Sequence, residues 1–333
     1  LEKRTIYFRA DGDSEIGLGH IYRSLALAQM IEPIFNIVFV SRKISNKVKK
    51  NLSEQYDYVF QSISEEKSFY NEVNSSLEEV IVVLDGYHFN TQYQKKLKKT
   101  GVPVVSIDDI HSHHFMSDVV INHAPGMSKE DYSIEDYTKV CLGPDYALLR
   151  PEFIALTSRI NTVDKLETAF ICFGGSDPNN LTAKCVQVLE EFENITDAIV
   201  ITGAGYKKTE SNYLENLTNR LTVSHYHDVD DSLMTKLMKD SDFAIVPSST
   251  ILYEVLAARL PVITGYFIDN QRNIYKGFME TGAVLGVGNL STKHIREGIL
   301  KLTVDKSSDM VSIQEDLIDG KSPQRILKLF QQL

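Results

Sequence analysis

The chain has 333 residues, 43% of them hydrophobic, which is enough apolar material for more than one buried core and exceeds the usual size of a single domain. A formal net charge of −10 argues against a surface that neutralises many phosphates, so nucleic acid is not expected as a partner. Cys141, Cys172 and Cys185 are widely spaced and form no Cys-x-x-Cys pair, no run reaches the roughly 18 apolar residues that span a bilayer, and Leu1 opens no signal-peptide pattern; a reduced, cytoplasmic protein is expected.

Short apolar runs alternate with helical patterns from the start. Strands are predicted at 5–10, 36–41, 79–84, 103–107 and 118–122, with helices over 20–31 and 91–100, which is the alternation of a parallel α/β sheet. The segment 151–167 carries no comparably clean strand. The alternation then restarts, with strands at 168–173, 197–202, 221–226, 242–246 and 261–266 and helices over 179–193, 211–220, 230–239 and 250–259. The expected fold is therefore two Rossmann-like α/β domains facing a cleft, one over 1–150 and one over 167–333. A final helix near 322–333 is able to cross back onto the first domain.

Four strand-to-helix junctions carry groups suited to chemistry, at the carboxyl edges where open α/β sheets bind ligands. The first is Asp11 to Arg23, with Gly17, Gly19 and His20. Glycines allow close approaches, and a helix N-terminus disfavours the charged imidazole, so a neutral His20 can accept a proton from water; equally, the glycines can simply make a tight turn with His20 in the cap region. Tyr22 replaces the last glycine of a dinucleotide fingerprint, and no Walker sequence occurs anywhere. The second junction, Phe173 to Pro178, places Gly174 and Gly175 where a diphosphate or sugar can approach, with Ser176 or Asp177 able to cap the next helix.

The third junction, Pro247 to Glu254, sets Ser249 and Thr250 at a helix start, suited to phosphate. Glu254 lies one turn inside, suited to ribose hydroxyls, unless it is only a solvated helix residue behind an N-cap. The fourth offers the amides of Asn270 and Gln271 after the strand at 261–266. His111, His113 and His114 have the wrong spacing for a helical metal pair and read as a surface loop; Asp108 and Asp109 follow a strand as an acid, a base or caps.

These segments together resemble a known family, the UDP-2,4-diacetamido-2,4,6-trideoxy-β-L-altropyranose hydrolases of pseudaminic acid biosynthesis. The resemblance runs nearly end to end, through residues 8–28, 107–109, 142–153, 173–182, the Ser-Ser-Thr-Ile-Leu-Tyr-Glu segment ending at Glu254, and 269–271. It implies the glycosyltransferase-B (GT-B) architecture, similar to the murein transferase that uses UDP-N-acetylglucosamine, with a UDP-sugar as substrate and neither metal nor cofactor. By the same resemblance His20 occupies the catalytic histidine position, Glu254 grips the nucleotide, Asn270 and Gln271 face the ligand, and Arg150 contacts substrate.

Ser249 stands where many members have glycine, Gly86 where histidine is frequent, and His123 where glutamine is usual, so the acyl pattern of the sugar is left open. The expected reaction is hydrolysis of the sugar–UDP bond, with UDP held at Gly174, Gly175 and the helix near Thr250, and with Asp11 either orienting His20 or touching a sugar hydroxyl. A glycosyltransferase using the same donor and a non-catalytic UDP-sugar-binding protein are the alternatives.

Overall fold

The computed structural model describes residues 3–13, 17–76, 80–206, 214 and 216–333. The chain divides into two compact units, Leu1–Arg150 together with Lys321–Leu333, and Pro151–Gly320.

The first unit is built on a seven-stranded sheet of β1 (Thr5–Ala10), β2 (Asn36–Ser41), β3 (Val59–Ser62), β4 (Val80–Asp85), β5 (Val104–Ile107), β6 (Val119–Asn122) and β7 (Lys139–Leu142), in the order β3-β2-β1-β4-β5-β6-β7. Every pairing is parallel, with Thr5 to Ala10 in register against Val80 to Asp85. The central runs are apolar on both faces because helices cover both, and β4 is buried throughout. Connections are α1 (Gly19–Ile31), α2 (Asn46–Gln55), α3 (Glu66–Ser75) and α4 (Thr91–Lys98). The chain works outward from β1 through β2 to β3, then returns to add β4 on the other side, so the topological switch point lies between β1 and β4.

In the second unit β8 (Thr168–Cys172), β9 (Asp197–Thr202), β10 (Thr222–His227), β11 (Phe243–Pro247), β12 (Val262–Tyr266) and β13 (Leu285–Asn289) take the order β10-β9-β8-β11-β12-β13, again all parallel. Its switch point lies between β8 and β11. The helices here are α5 (Pro151–Leu156), α6 (Leu181–Leu189), α7 (Asp231–Lys239), α8 (Thr250–Ala257), α9 (Arg272–Thr281), α10 (Thr292–Lys301) and α11 (Val304–Leu317). The helix expected over 211–220 falls largely outside the described residues. Among the described residues no helix is long and apolar enough to cross a membrane.

The second unit begins earlier than the sequence suggested, and at its other end the final helix crosses back, as the sequence allowed. Residues 151–166 belong to it, because α5 packs on α7 and α8 and Phe153 and Leu156 are buried. Conversely, α12 (Ser322–Phe330) belongs to the first unit. Ile326, Leu329 and Phe330 lie in its main core with Leu25, Ile31 and Phe35, and the Phe330 and Phe35 rings meet edge to face at 6.2 Å. Strands β3, β7 and β13 were not expected from the sequence: β3 and β7 are edge strands with half-exposed patterns, and β13 carries two glycines.

Arg259 ties together the segments that enter and leave the second unit. Its backbone is left-handed at φ 59° and its side chain is buried. Its terminal nitrogens donate to the carbonyls of Thr157 (2.8 Å), Leu256 (3.2 Å), Gln314 (2.6 Å) and Ile318 (2.9 Å). Burial pulls its basicity down, against the opposing pull of Glu315 and Asp319. Removing the guanidinium strands several buried carbonyls, so Arg259→Met is expected to destabilise the protein by roughly 3 kcal/mol or more in urea unfolding, whereas a cost below roughly 1 kcal/mol would show that the clamp is dispensable.

Candidate functional site

His20 is the second residue of α1, just past the carboxyl end of β1, and Asp85 is the last residue of β4; the two flank the switch point of the first sheet. His20 Nδ1 lies 2.7 Å from Asp85 Oδ1. Asp85 is fully buried, and burial alone would raise its carboxyl. The Arg23 guanidinium and, behind it, His20 outweigh that and hold it at about 2. An ionised carboxylate only accepts hydrogen bonds, so Nδ1 carries a proton and donates it to Asp85, and in the neutral form of the ring Nε2 is then the acceptor. The His20 side chain keeps 10% of its exposure.

Arg23 lies three residues along the same helix. Its Nε donates to Asp85 Oδ2 (2.9 Å), Nη2 to Asp85 Oδ1 (2.6 Å) and Nη1 to Asp109 Oδ2 (3.0 Å). Asp109 also accepts from the Tyr87 hydroxyl at 3.2 Å, and the Tyr87 ring meets the His20 ring edge-on at 4.8 Å. The first turn of α1 has neither a side-chain cap nor an acidic residue, and a Cβ at Gly19 would meet nothing within 4 Å. Backbone N–H groups at this helix start are therefore approachable by a ligand oxygen. Ser14, Glu15 and Ile16 of the same loop lie outside the described residues.

Asp11 does not orient His20. It is buried, receives two hydrogen bonds from Arg9 (2.7 and 3.0 Å), and accepts the backbone N–H groups of Arg42 (2.7 Å) and Lys43 (2.9 Å). Burial would raise its carboxyl, but Arg9 and these N–H groups hold it below the ordinary value. It thereby anchors the loop after β1 to the loop after β2. Arg150, the last residue of the first unit before the crossing, holds its guanidinium 5.6 Å over the Tyr22 ring.

The second unit repeats the arrangement at its own switch point, where the Gly174–Gly175 turn follows β8 and Ser249–Thr250 follows β11. Gly174 takes φ +81°. The loop after β9 packs so closely on this turn that a Cβ at Gly203 would stand 2.6 Å from Gly175 Cα, and Gly205 N donates to Gly175 O at 2.9 Å. The outer side is open: Cβ atoms at Gly174 and Gly175 would meet nothing within 4 Å. Asp177 serves as a cap, accepting from Leu181 N and Thr182 N at 2.8 Å each.

Ser249 occupies the N-cap position of α8, yet its side chain makes no capping bond, and no acidic residue follows in the first turn that Thr250 opens. Glu254 is 5% exposed, which removes the solvated-helix alternative. At the end of β8 the Cys172 thiol is pushed up to about 12, chiefly by burial, with Glu254 adding to the rise and a backbone hydrogen bond at Gly174 opposing it. Asn270 and Gln271 end a short 3-10 turn after β12. The Gln271 side-chain oxygen accepts Phe267 N at 3.0 Å, so that oxygen closes its own loop.

The histidine cluster is splayed. His113 Nε2 lies against the Gln94 amide at 3.0 Å, while His114 contacts Ser133 and Glu135. Among the described residues no group of three or more His, Cys, Asp or Glu side chains is arranged to hold a metal ion. Sequence reading did not single out Asp85, Arg23, Tyr87 or Gly203 as functional. A carboxylate closing the apolar run Val80 to Leu84, and an arginine three residues after His20 on one helix face, are the signals that pointed to the first two.

No protein-family model matches the chain. It is 28% identical over 274 residues to the UDP-2,4-diacetamido-2,4,6-trideoxy-beta-L-altropyranose hydrolase of Campylobacter jejuni, covering 80% of this chain and 93% of that one. It is 24% identical to the spore coat polysaccharide biosynthesis protein SpsG of Bacillus subtilis, over 97% of each. Uncharacterized protein MJ1062 of Methanocaldococcus jannaschii is 25% identical over 81% of this chain, which spans only 57% of that protein's length. Among solved structures, MurG of Acinetobacter baumannii superposes with a TM-score of 0.72 over 100% of both chains at 14% identity. Anabaena Alr3699/HepE, solved in complex with UDP-glucose, does so at 0.62 over 99% of this chain and 100% of that one, also at 14% identity. The fold is GT-B.

One buried group of this GT-B chain sets a pH dependence. His123 is buried behind Arg23, and Leu148 N donates to its Nδ1 at 3.3 Å. Burial first and Arg23 second push its pKa down to about 3 from 6.5, against the pull of Asp85. A depressed histidine binds its proton in the unfolded chain first, so the stability it secures is whole above about 6.5 and drains as pH falls toward about 3. Relative to His123→Gln, the wild type is expected to lose about 1.4 kcal/mol per pH unit across that window in urea melts, and parallel profiles for the two proteins would refute this.

Proposed function

We propose that the chain is a hydrolase that releases UDP from a UDP-linked 2,4-diacetamido-2,4,6-trideoxyhexose and yields the free sugar for nonulosonic acid biosynthesis. The observation that carries the reading is the His20–Asp85 pair at the first switch point, an imidazole whose Nδ1 lies 2.7 Å from a buried carboxylate. Such a pair leaves Nε2 as a base for water. The similarity to the Campylobacter hydrolase supplies the substrate class, and UDP-glucose bound by HepE supports a UDP-linked donor on this fold.

In the proposed reaction water gives a proton to His20 Nε2 as its oxygen bonds the anomeric carbon, and the bond from that carbon to the diphosphate oxygen breaks. UDP leaves with the electron pair, and the anomeric centre inverts in the single displacement. The imidazolium formed is stabilised by Asp85. The helix start at Gly19 gives the sugar room, with Arg150 as a further substrate contact. Nucleotide recognition is assigned to the second unit, where the uncapped helix start at Ser249 and Thr250 and the open Gly174–Gly175 turn suit the diphosphate and Glu254 suits the ribose hydroxyls. Asn270 and the amide nitrogen of Gln271 suit the remaining polar groups of the ligand.

Incubation of the UDP-sugar in 18O-labelled water tests the reaction directly. One labelled oxygen in the free sugar and none in UDP is expected; release of UDP only when an acceptor alcohol is added would assign transfer instead, and binding without turnover would assign a sensor. His20→Asn is expected to lower kcat by about 10²- to 10⁴-fold with UDP affinity unchanged, and near-normal turnover would remove His20 from the chemistry. Glu254→Gln is expected to do the reverse, weakening UDP binding about tenfold by calorimetry while kcat at saturation stays within a few-fold; unaltered UDP binding would sink that assignment.

A further inference from the structure

His20, Asp85, Arg23, Asp109 and Tyr87 form a closed ring. His20 donates to Asp85, which accepts from Arg23; Arg23 donates to Asp109, which accepts from Tyr87; and the Tyr87 ring returns to the edge of the His20 ring. The ring joins three elements of the first unit: the start of α1, the end of β4 with its loop, and the loop after β5.

A buried carboxylate needs one cation to offset its desolvation, and Arg23 goes further than that. Its Nε and Nη2 take one oxygen of Asp85 each, which fixes the carboxylate plane and leaves the remaining acceptor position of Oδ1 to His20. Nη1 is spent on Asp109, so the guanidinium cannot turn without breaking a bond to a second carboxylate. Nη2 also lies 3.3 Å from His20 Nδ1, close enough that rotation of either group disturbs the other. Only a planar, five-donor fork serves both carboxylates at once; a lysine ammonium has no such geometry.

We propose that Arg23, held by Asp109, is a positioning residue that fixes the Asp85 carboxylate and through it the orientation and Nδ1-protonated tautomer of His20. This rests on the reading of His20 as the base that activates water. The loop after β5 thereby acts on turnover although the bond it makes is to Arg23 and Tyr87 and not to His20.

The test combines a spectroscopic readout with kinetics on the full chain. In 15N-histidine-labelled wild type the His20 signals, assigned by their loss in His20→Asn, are expected to show one pyrrole-type nitrogen at Nδ1 and one pyridine-type nitrogen at Nε2. In Arg23→Lys those signals are expected to move toward a mixture of tautomers, with kcat for the UDP-linked diacetamido sugar down about 10- to 100-fold and KM within threefold. Asp109→Asn, a near-isosteric change, is expected to give the same spectral direction with a kcat loss of about 3- to 10-fold. The double variant is expected to be no slower than Arg23→Lys, because both changes act through one carboxylate.

Should Arg23→Lys fail to fold, Asp109→Asn decides alone. A folded Arg23→Lys or Asp109→Asn with the wild-type tautomer pattern, or multiplied losses in the double variant, overturns the positioning role while an inactive His20→Asn leaves the base assignment standing. An active His20→Asn removes the base assignment itself, and this inference with it.

Discussion

Much of the first unit depends on one buried charge, the Asp85 carboxylate at the end of β4. A carboxylate with no exposure is tolerated only where cations and donors return what water gave it, and Arg23 with His20 does so here. Arg23 is itself buried, its side chain 6% exposed. Burial works against its charge, and Asp85 and Asp109 restore it, keeping its affinity for the proton well above the ordinary value. Neither partner is stable without the other, so α1 can seat on β4 in one way only. The consequence for chemistry is that the histidine meets a carboxylate whose charge and plane are already set by the packing of the sheet.

The two units share one topology and differ in the chemistry placed at its switch point. Each sheet grows outward on one side and then restarts on the other, which leaves a gap in helix coverage over the carboxyl ends of β1 and β4 in one and of β8 and β11 in the other. In the first the gap is filled with titratable groups. In the second it is lined with glycines, hydroxyls and uncapped backbone N–H groups, with Glu254 behind them. Proton transfer needs side chains whose charge is tuned by neighbours; holding a diphosphate needs many weak donors close to the backbone, where a side chain is an obstruction. Gly203 shows such an obstruction, since even a methyl there would collide with the Gly174–Gly175 turn.

The central strands and both Rossmann-like halves were legible in the sequence because runs such as Val80 to Leu84 and Phe243 to Val246 are apolar at every position, the mark of strands covered on both faces. Strands β3, β7 and β13 lie at or beside sheet edges, where half-exposure dilutes that signal. At the candidate site, junctions could be read and partnerships could not. His20 stood out from Gly17 and Gly19 close before it in the chain, but its partner is 65 residues away and is set by the pairing of β1 with β4. Asp11, closer in sequence, was the natural candidate for the same role, and Arg9 two residues before it takes that carboxylate instead. Likewise α12 reads as a helix from its own spacing, whereas its seat beside Leu25 and Phe35 depends on a core that no local pattern encodes.

Two arginine networks bracket the loop that carries His20. On one side Arg9 binds Asp11 and Glu66, and Glu66 accepts the Tyr93 hydroxyl, tying the end of β1 to α3 and α4. On the other side Arg23 binds Asp85 and Asp109, tying the start of α1 to β4 and β5. Between them a Cβ at Gly17 or Gly19 would meet nothing within 4 Å, while Gly17 N donates to Asp13 O at 2.9 Å and Gly12 N to Lys43 O at 2.8 Å. The charged networks thus fasten the end of β1 and the start of α1, on either side of the two glycines, to the strands and helices around them.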